Sequence, residues 1–366
     1  MINKATCAIA DFPTLLRAVA AQASAIEDQR HLPASLAATL GQRGLFCMLV
    51  PRGLGGGELA PLEVLDIVEM LATADGSVAW CVMVCATTGM LAAYLDEETA
   101  EEIFGLADAV VGGVAAPRGI AAIRSEGFEI SGQWSWASGS AACTWLMGGF
   151  RIEGESGGPR LAFFPAAQVR LIDDWNPLGL RGTGSGSFHV SNLSVPGRRT
   201  CPVAAKPRPG TSPVYSFPPA VMTALCIASV GCGLAQAAFG EIGRHVEAGD
   251  ETIGIVTAAL ARQRAARALL REQVALAWDK ATSGDDLPGT MIADLRLAAV
   301  HAARTAAEEC RVLQDVAGGA GVLFSGPLGR RVRDAQTLTA HALVSPRLHR
   351  QLGDQLFAVS PVGAHG

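Results

Sequence analysis

The chain has 366 residues, more than one ordinary domain, so we expect two or three packed units. Apolar residues make up 49 % and charged residues 17 % of the chain, which excludes a disordered protein. The net charge is −5 and no run of basic residues stands out, so we expect no nucleic-acid partner.

Nine cysteines are spread mostly through apolar stretches, without the paired spacing of a zinc site or the density of a small disulfide-rich domain. We interpret them as reduced, buried thiols of a cytoplasmic protein and expect no bound metal. The N-terminus lacks a charged segment followed by an apolar one, so no signal peptide is predicted.

Two uncharged stretches, residues 77–95 and 219–240, are each about as long as a bilayer is thick. They are rich in Ala, Gly, Ser, Thr and Cys rather than in Leu, Ile and Phe, and small residues gain little from insertion into lipid. We therefore predict helices buried inside a helical assembly and no membrane span.

The predicted elements fall into four consecutive segments. Residues 1–105 carry apolar positions at helical spacing and form a helical domain. Residues 106–200 alternate in short runs separated by Gly, Pro, Asp and Asn, which predicts a small antiparallel barrel or sandwich. Residues 201–217 are Pro-rich and are predicted to be a linker. Residues 218–366 predict a four-helix bundle, with helices over 218–247, 254–283, 287–317 and about 328–358.

Five motifs in this order resemble the acyl-CoA dehydrogenase fold over nearly the whole chain. They are Gly44-Leu-Phe with Pro51-Arg-Gly-Leu-Gly-Gly, then Ala74-Asp-Gly-Ser-Val-Ala, then Gly132-Gln-Trp-Ser-Trp-Ala-Ser-Gly, then Asp174-Trp-Asn-Pro-Leu-Gly-Leu-Arg-Gly-Thr with Val195-Pro, and finally Gly318-Gly319 with Arg333-Asp334. The resemblance implies a mainly α protein with a central β module.

Two departures from true dehydrogenases indicate a particular branch of that fold. The passage Val114-Ala-Ala-Pro-Arg-Gly lacks the acidic motif that helps those enzymes to hold flavin and thioester. His341 lies near the place of their proton-abstracting glutamate. Both departures resemble the oxygenase components of two-component flavin-dependent monooxygenases, in which a separate NAD(P)H-dependent reductase supplies reduced flavin.

That resemblance implies the chemistry of the candidate catalytic residues. Reduced flavin and O2 would form a C4a-hydroperoxide in a closed pocket that excludes water. Ser138 lies where a hydroxyl beside flavin N5 is expected, and Ser before Gly is also common in turns. His341 is the candidate general base or hydrogen-bond donor, because the usual pKa of histidine is near 6.5. His349 is its main rival.

The same resemblance implies cofactor and substrate contacts. The cofactor-binding candidates are Trp136, Ala137, Ser138, Trp175, Arg244, Gly318 and Gly319. Trp136 and Trp175 would wall the flavin, or they pack in the core. Arg244 would hold a phosphate, or it ends a solvated helix. The substrate candidates are Arg181, which could instead brace its loop, with Thr87 and Thr88.

We therefore predict a cytoplasmic homotetramer that uses FMNH2, in preference to FADH2, and O2 to oxygenate a small aromatic substrate. One alternative is an FAD-dependent acyl-CoA dehydrogenase in which Glu308 or Glu309 replaces the missing base. A second alternative is a non-catalytic oligomeric scaffold that kept the fold and lost the cofactor.

Overall fold

A computed structural model of the chain describes residues 11–243 and 252–357, with ten α-helices and one seven-stranded sheet in those ranges. The first helices are α1 (Phe12–Gln29), α2 (Ala34–Gln42), α3 (Pro61–Ala74), α4 (Gly76–Gly89) and α5 (Glu97–Phe104). The strands are β1 (Val111–Arg124), β2 (Gly127–Trp134), β3 (Trp145–Ile152), β4 (Arg160–Pro165), β5 (Arg170–Ile172), β6 (Ser187–Pro196) and β7 (Thr200–Pro202). The last helices are α6 (Pro219–Ile242), α7 (Thr252–Thr282), α8 (Gly289–Ala317), α9 (Pro327–Leu338) and α10 (Leu348–Phe357).

The chain folds into two compact units. The first contains the described residues up to Leu59, Trp80–Pro177 and Arg181–Tyr215, so it holds the whole sheet together with α1, α2 and α5. The second contains Ala60–Ala79, Leu178–Leu180 and the described residues from Ser216 onward. The mainly α architecture with a central β module, as the resemblance implied, is confirmed.

The sheet is mixed, which corrects the prediction of a purely antiparallel module. Its strand order is β5-β6-β2-β1-β3-β4-β7, and β1 pairs with β3 in parallel while the other neighbours are antiparallel. β1 and β2 form a hairpin, so β2 ends near the beginning of β1. The chain then crosses to the other side of β1, where β3 pairs with it in the same direction. Val111 at the start of β1 therefore lies beside Trp145 at the start of β3.

A fully buried tryptophan organises the core of the sheet. The Trp134 ring stacks on Phe188 with centroids 4.8 Å apart, and its indole N–H donates to the Gly149 carbonyl at 2.8 Å. A Cβ on Gly148 would lie 2.8 Å from that indole, closer than side chains pack. Glycine at this position therefore leaves the volume that Trp134 fills.

The predicted linker is an ordered part of the first unit. It begins with β7 and contains the short 3-10 helix Pro213–Ser216. Tyr215 is buried, and its hydroxyl donates to the Leu49 carbonyl at 3.1 Å. Contacts with the core hold this segment in place. The segment has no helical or strand periodicity of its own, which is why its composition predicted a linker.

In the second unit, α6 is the buried helix that its small residues predicted. A Cβ on Gly233 would lie 2.2 Å from the Glu69 carbonyl oxygen of α3, so the two helices cross almost backbone to backbone. Gly76–Tyr94 and Pro219–Ile242 are long and apolar enough to span a membrane by length and composition. Their most apolar windows are 94 % and 78 % buried within the protein, as in core helices.

Arginines of α7 tie this helix to its neighbours in the second unit. Arg262 forms a bidentate pair with Glu309 of α8 at 2.6 and 2.8 Å, and Arg267 pairs with Glu69 of α3 at 2.6 Å. Both carboxylates are buried, with residue exposures of 3 % for Glu309 and 6 % for Glu69. Bidentate pairing compensates the burial of the Glu309 charge.

The single helix predicted over 328–358 was wrong. The chain forms α9, then a short 3-10 helix at Ala342–Val344, then α10. Pro346 lies between the last two elements, and a proline disfavours the helical conformation in the residue before it. His341 consequently lies in a turn rather than on a helix face.

Candidate functional site

The ten-residue connection from β2 to β3 carries three of the predicted site residues. Trp136 adopts a left-handed backbone with φ 70°, which costs energy for a residue with a side chain, and its ring is exposed, with 68 % of the residue surface accessible. Ala137 and Ser138 are buried, and the Ala137 N–H donates to the Gly186 carbonyl at 2.9 Å. The connection thus presents an indole outward and a hydroxyl inward.

The Ser138 hydroxyl belongs to a buried chain of polar groups within the first unit. The Trp80 indole N–H donates to Ser138 Oγ at 2.9 Å. Ser138 Oγ lies 2.7 Å from Ser185 Oγ, which lies 2.6 Å from Thr183 Oγ1. Because an indole nitrogen can only donate, Ser138 accepts at least this one bond. We call these four side chains the hydroxyl chain.

A groove of 250 Å³ runs beside Trp136 on the sheet. Its walls are Val114, Ala116 and Arg118 of β1, Gln133 of β2, and Ser135 with Trp136 of the connection. A broad aromatic face, an amide and a guanidinium are the groups that a planar conjugated ring with an anionic tail requires. The groove therefore offers an aromatic stacking face and a cation to a planar anionic ligand.

A larger cavity of 480 Å³ also lies within the first unit. Most of its lining is small or apolar, including Ala38, Phe46 and, on α4, Cys81, and its polar lining residues include His31, Gln42 and Asp108. Thr183 of the hydroxyl chain reaches its wall. Thr87 and Thr88, the predicted substrate contacts on the same helix, are buried and donate to the Met83 and Val84 carbonyls of their own helix at 2.8 Å.

The loop that leads to β6 holds Trp175 and Arg181 together. The Trp175 indole N–H donates to the Arg181 carbonyl at 3.1 Å. The Arg181 guanidinium donates to Asn176 Oδ1 and to the Pro177 carbonyl, both at 3.0 Å. Arg181 therefore braces its loop, which was the alternative to its predicted contact with substrate.

His341, in the second unit, caps the short 3-10 helix that follows α9. Its Nδ1 accepts the Leu343 N–H at 3.2 Å. Desolvation by the surrounding protein lowers the pKa of His341 to about 4, well below the value near 6.5 from which its role was predicted. The ring is neutral at pH 7, and with Nδ1 accepting, its proton is on Nε2. His349 lies on α10 and is exposed.

Two further predicted cofactor contacts, Gly318 and Gly319, lie just after the end of α8. Gly318 follows the last residue of α8 with φ 54°, a backbone conformation that favours glycine. A Cβ added at Gly318 or Gly319 would have no atom within 4 Å in the part of the chain that the structure describes, so there is free space beside both glycines. Arg244 lies outside the described residues.

Two of the sequence motifs meet in the second unit. Asp334 Oδ1 accepts the Leu180 N–H at 2.6 Å. A Cβ on Gly179 would lie 2.2 Å from the Arg333 carbonyl oxygen, so only glycine allows this approach. The Arg333-Asp334 motif thus holds the Gly179-Leu180 turn in place.

The base required by the dehydrogenase alternative is not supplied by Glu308 or Glu309. Glu309 is buried and held by both nitrogens of the Arg262 fork. Glu308 is exposed to solvent. Neither carboxylate faces an apolar pocket where it could act as a proton-abstracting base.

Sequence reasoning missed Trp80, Thr183, Ser185 and Arg118. The hydroxyl chain joins residues 58 and 47 positions apart, which no local pattern reports. Arg118 stood inside a passage that was read only for the acidic motif it lacks. An unpaired arginine among apolar strand residues was the available signal.

Comparison with known proteins identifies two family models in the chain. Residues 14–104 match the acyl-CoA dehydrogenase N-terminal domain, and residues 225–346 match the acyl-CoA dehydrogenase C-terminal domain. The two models cover the helical parts on either side of the β module.

Similar proteins align over almost their whole lengths. An indole-3-acetate monooxygenase of Pseudomonas putida is 33 % identical over 91 % of this chain and 89 % of its own. The oxygenase subunit HsaA, a flavin-dependent monooxygenase of Rhodococcus jostii, is 27 % identical over 91 % and 93 %. The crystal structure of 3-HSA hydroxylase from Rhodococcus sp. RHA1 superposes with a TM-score of 0.90, at 25 % identity over 96 % of both chains.

Proposed function

Because the chain belongs to the family of flavin-dependent monooxygenases with the acyl-CoA dehydrogenase fold, we propose that Trp136, Ser138 and His341 are its working residues. The chain is accordingly an oxidoreductase, an oxygenase component of a two-component system, rather than a dehydrogenase or a scaffold. The glutamate that a dehydrogenase needs is replaced here by His341.

One observation carries the assignment of the flavin site. Trp136 is held in a left-handed backbone conformation with an exposed ring, two residues before the buried hydroxyl of Ser138. Backbone strain of this kind persists where the surrounding structure imposes it, and it clusters at functional sites. Trp136 would wall the flavin ring, with Ala137 beside it, and Ser138 would bond to its central ring.

Reduced flavin, when bound, supplies the electrons that activate O2. The protein would hold the ring through Trp136 and fix the Ser138 hydroxyl through the hydroxyl chain. His341, with its proton on Nε2, would donate a hydrogen bond during oxygen transfer rather than act as a base. Gly318 and Gly319 would approach the cofactor of a neighbouring copy.

The substrate we propose is a small aromatic molecule. The relatives' names support this class, since one of them acts on indole-3-acetate. An NAD(P)H-dependent flavin reductase would deliver the cofactor, as the term oxygenase subunit in a relative's name implies. FMN is our first choice over FAD, because the groove offers one guanidinium, enough for one phosphate.

We also propose a cytoplasmic homotetramer. The eight cysteines among the described residues are free thiols, as a reducing compartment maintains them. Burial raises the pKa of Cys226, Cys232 and Cys310 to about 12, so these thiols are unreactive.

The function is tested by mixing the purified protein with a flavin reductase, NADH, FMN and O2, and then adding indole-3-acetate or simple phenols one at a time. We expect an oxygenated product when the substrate is present. When no substrate is added, we expect release of H2O2. Product formation by the reductase alone, or H2O2 without product for every aromatic tested, would contradict the proposal. Reduction of bound FAD by an acyl-CoA would instead support the alternative function, an acyl-CoA dehydrogenase.

A further inference from the structure

Arg118 is the cation of the groove beside Trp136. It lies on β1 and is exposed, and no carboxylate in residues 11–243 or 252–357 forms an ion pair with it. Arg124, on the same strand, is engaged by Glu129 at 2.7 Å. An arginine that stands unpaired in a groove is available for an anion from outside the chain.

Arg118 stands at one end of a polar row that crosses four strands. Arg118 of β1 and Gln133 of β2 line the same groove. Gln133 pairs with His189 of β6, and His189 pairs with Arg170 of β5. Directly opposite residues share one face of a sheet, so the row presents two guanidiniums, an imidazole and an amide on the same side.

The row and the aromatic wall are arranged along one groove. Val114, Ala116 and Arg118 of β1 all line this groove. Trp136 and Ser135 lie at the groove together with these residues. A ring stacked on Trp136 can therefore extend its side chain toward Arg118.

We propose that Arg118, supported by Gln133 and by the positive charge of Arg170 along the same row, binds the phosphate of the flavin. This rests on the proposed function, because it assumes that the ring lies at Trp136. A guanidinium donates two parallel hydrogen bonds to a phosphate, a charge-assisted contact that an uncharged ribityl hydroxyl does not reproduce. Arg118 thus selects phosphorylated flavins over riboflavin.

The experiment compares FMN with riboflavin, which differ only in the phosphate. Both are reduced under anaerobic conditions and titrated by calorimetry into the wild-type protein, Arg118→Gln, Arg118→Lys and the matched control Arg124→Gln. For the wild type we expect FMN to bind about tenfold or more tightly than riboflavin, the magnitude of a hydrogen bond to a charged group. Arg118→Gln should abolish this preference and leave riboflavin affinity unchanged, while Arg118→Lys retains part of it.

Each other outcome has a definite meaning. If Arg118→Gln lost affinity equally for both flavins, Arg118 would contact the flavin ring or stabilise the fold. That result would overturn the proposal. An unchanged FMN preference would place the phosphate elsewhere and also overturn it, with the monooxygenase function intact. Binding of neither flavin to the wild type would overturn this proposal and the proposed function together.

Discussion

At Ser138, hydrogen bonding determines what the hydroxyl can offer a cofactor. The Trp80 N–H occupies one lone pair at 2.9 Å, and Ser185 lies 2.7 Å away on the other side. If Ser138 donates its proton toward Ser185, its second lone pair is left to accept a hydrogen bond. Reduced flavin carries an N–H at its central ring, so the hydroxyl chain prepares Ser138 as an acceptor.

Replacing this hydroxyl should uncouple the enzyme. We expect Ser138→Ala to lower the product formed per NADH oxidised by about tenfold, the effect of one hydrogen bond of roughly 1.4 kcal/mol at the reacting centre. The matched control is Ser140→Ala, which removes a buried hydroxyl two residues along the same connection. The measurement is the ratio of product to H2O2, and equal ratios in both variants would remove Ser138 from the chemistry.

The imidazole of His341 makes stability depend on pH. Its pKa is about 4 in the folded protein and near 6.5 when unfolded, so between these values the unfolded chain binds more protons. The free energy of unfolding should therefore fall as the pH drops from 6.5 to 4, by roughly 2 kcal/mol after allowance for partial contact with solvent.

Urea unfolding at several pH values measures this contribution as the difference between the wild type and His341→Gln. When the free energy of unfolding is plotted against pH, the curves of the two proteins should converge as the pH approaches 4, because all their other titrating groups are the same. Parallel curves across this range would show that the pKa of His341 is the same in the folded and the unfolded protein, and would contradict this prediction.

Ser138 and His341 could be named from the sequence because each lies inside a motif with recognisable neighbours. Trp80 and Arg118 could not. Their importance comes from which strand or helix lies opposite them, and that depends on the pairing of β1 with β2 and on the packing of α4. The low pKa of His341 could not be predicted from the sequence either, because burial of the side chain in the folded protein causes it.

Among the elements, strand positions were predictable and strand partners were not. The alternating runs within residues 106–200 predicted a β module there, and β3 (Trp145–Ile152) is one of its strands. The parallel pairing of β1 with β3 depends on the path of the connection that carries Trp136, and alternation within a strand says nothing about it. The division between α9 and α10 was available in principle from Pro346.

Helix α7 gives a prediction at the scale of elements. Glu309→Gln should replace one of the two buried carboxylate oxygens that accept from Arg262 by an amide NH2 group and lower the free energy of unfolding by about 1–3 kcal/mol. The product-to-H2O2 ratio should not change, because Glu309 holds two helices together. Glu308→Gln, the exposed neighbour, serves as the control and should leave stability within about 0.5 kcal/mol. Loss of coupling with normal stability would restore Glu309 as a catalytic candidate.

At the scale of the whole molecule, three adjacent apolar residues after Gly319 are exposed. Val322, Leu323 and Phe324 have exposures of 71 %, 58 % and 57 %. Contiguous exposed apolar residues of this kind mark surfaces that another protein covers. They support the homotetramer of the proposal.

A charge within this patch should therefore weaken assembly. We expect Leu323→Asp to shift the protein toward smaller species in sedimentation velocity, while Leu106→Asp, at a single exposed leucine with 61 % exposure, leaves the tetramer intact. A monomeric wild type, or identical profiles for both variants, would contradict the assembly we propose.

The exposed indole of Trp136 also gives the protein an intrinsic optical reporter. Of the six tryptophans, Trp80, Trp134 and Trp145 are buried, and Trp175 and Trp278 are partly covered. A collisional quencher dissolved in the buffer, such as iodide, will reach Trp136 before the others. A ligand that covers this ring will protect its fluorescence from the quencher, so occupancy of the groove can be followed in the unlabelled protein.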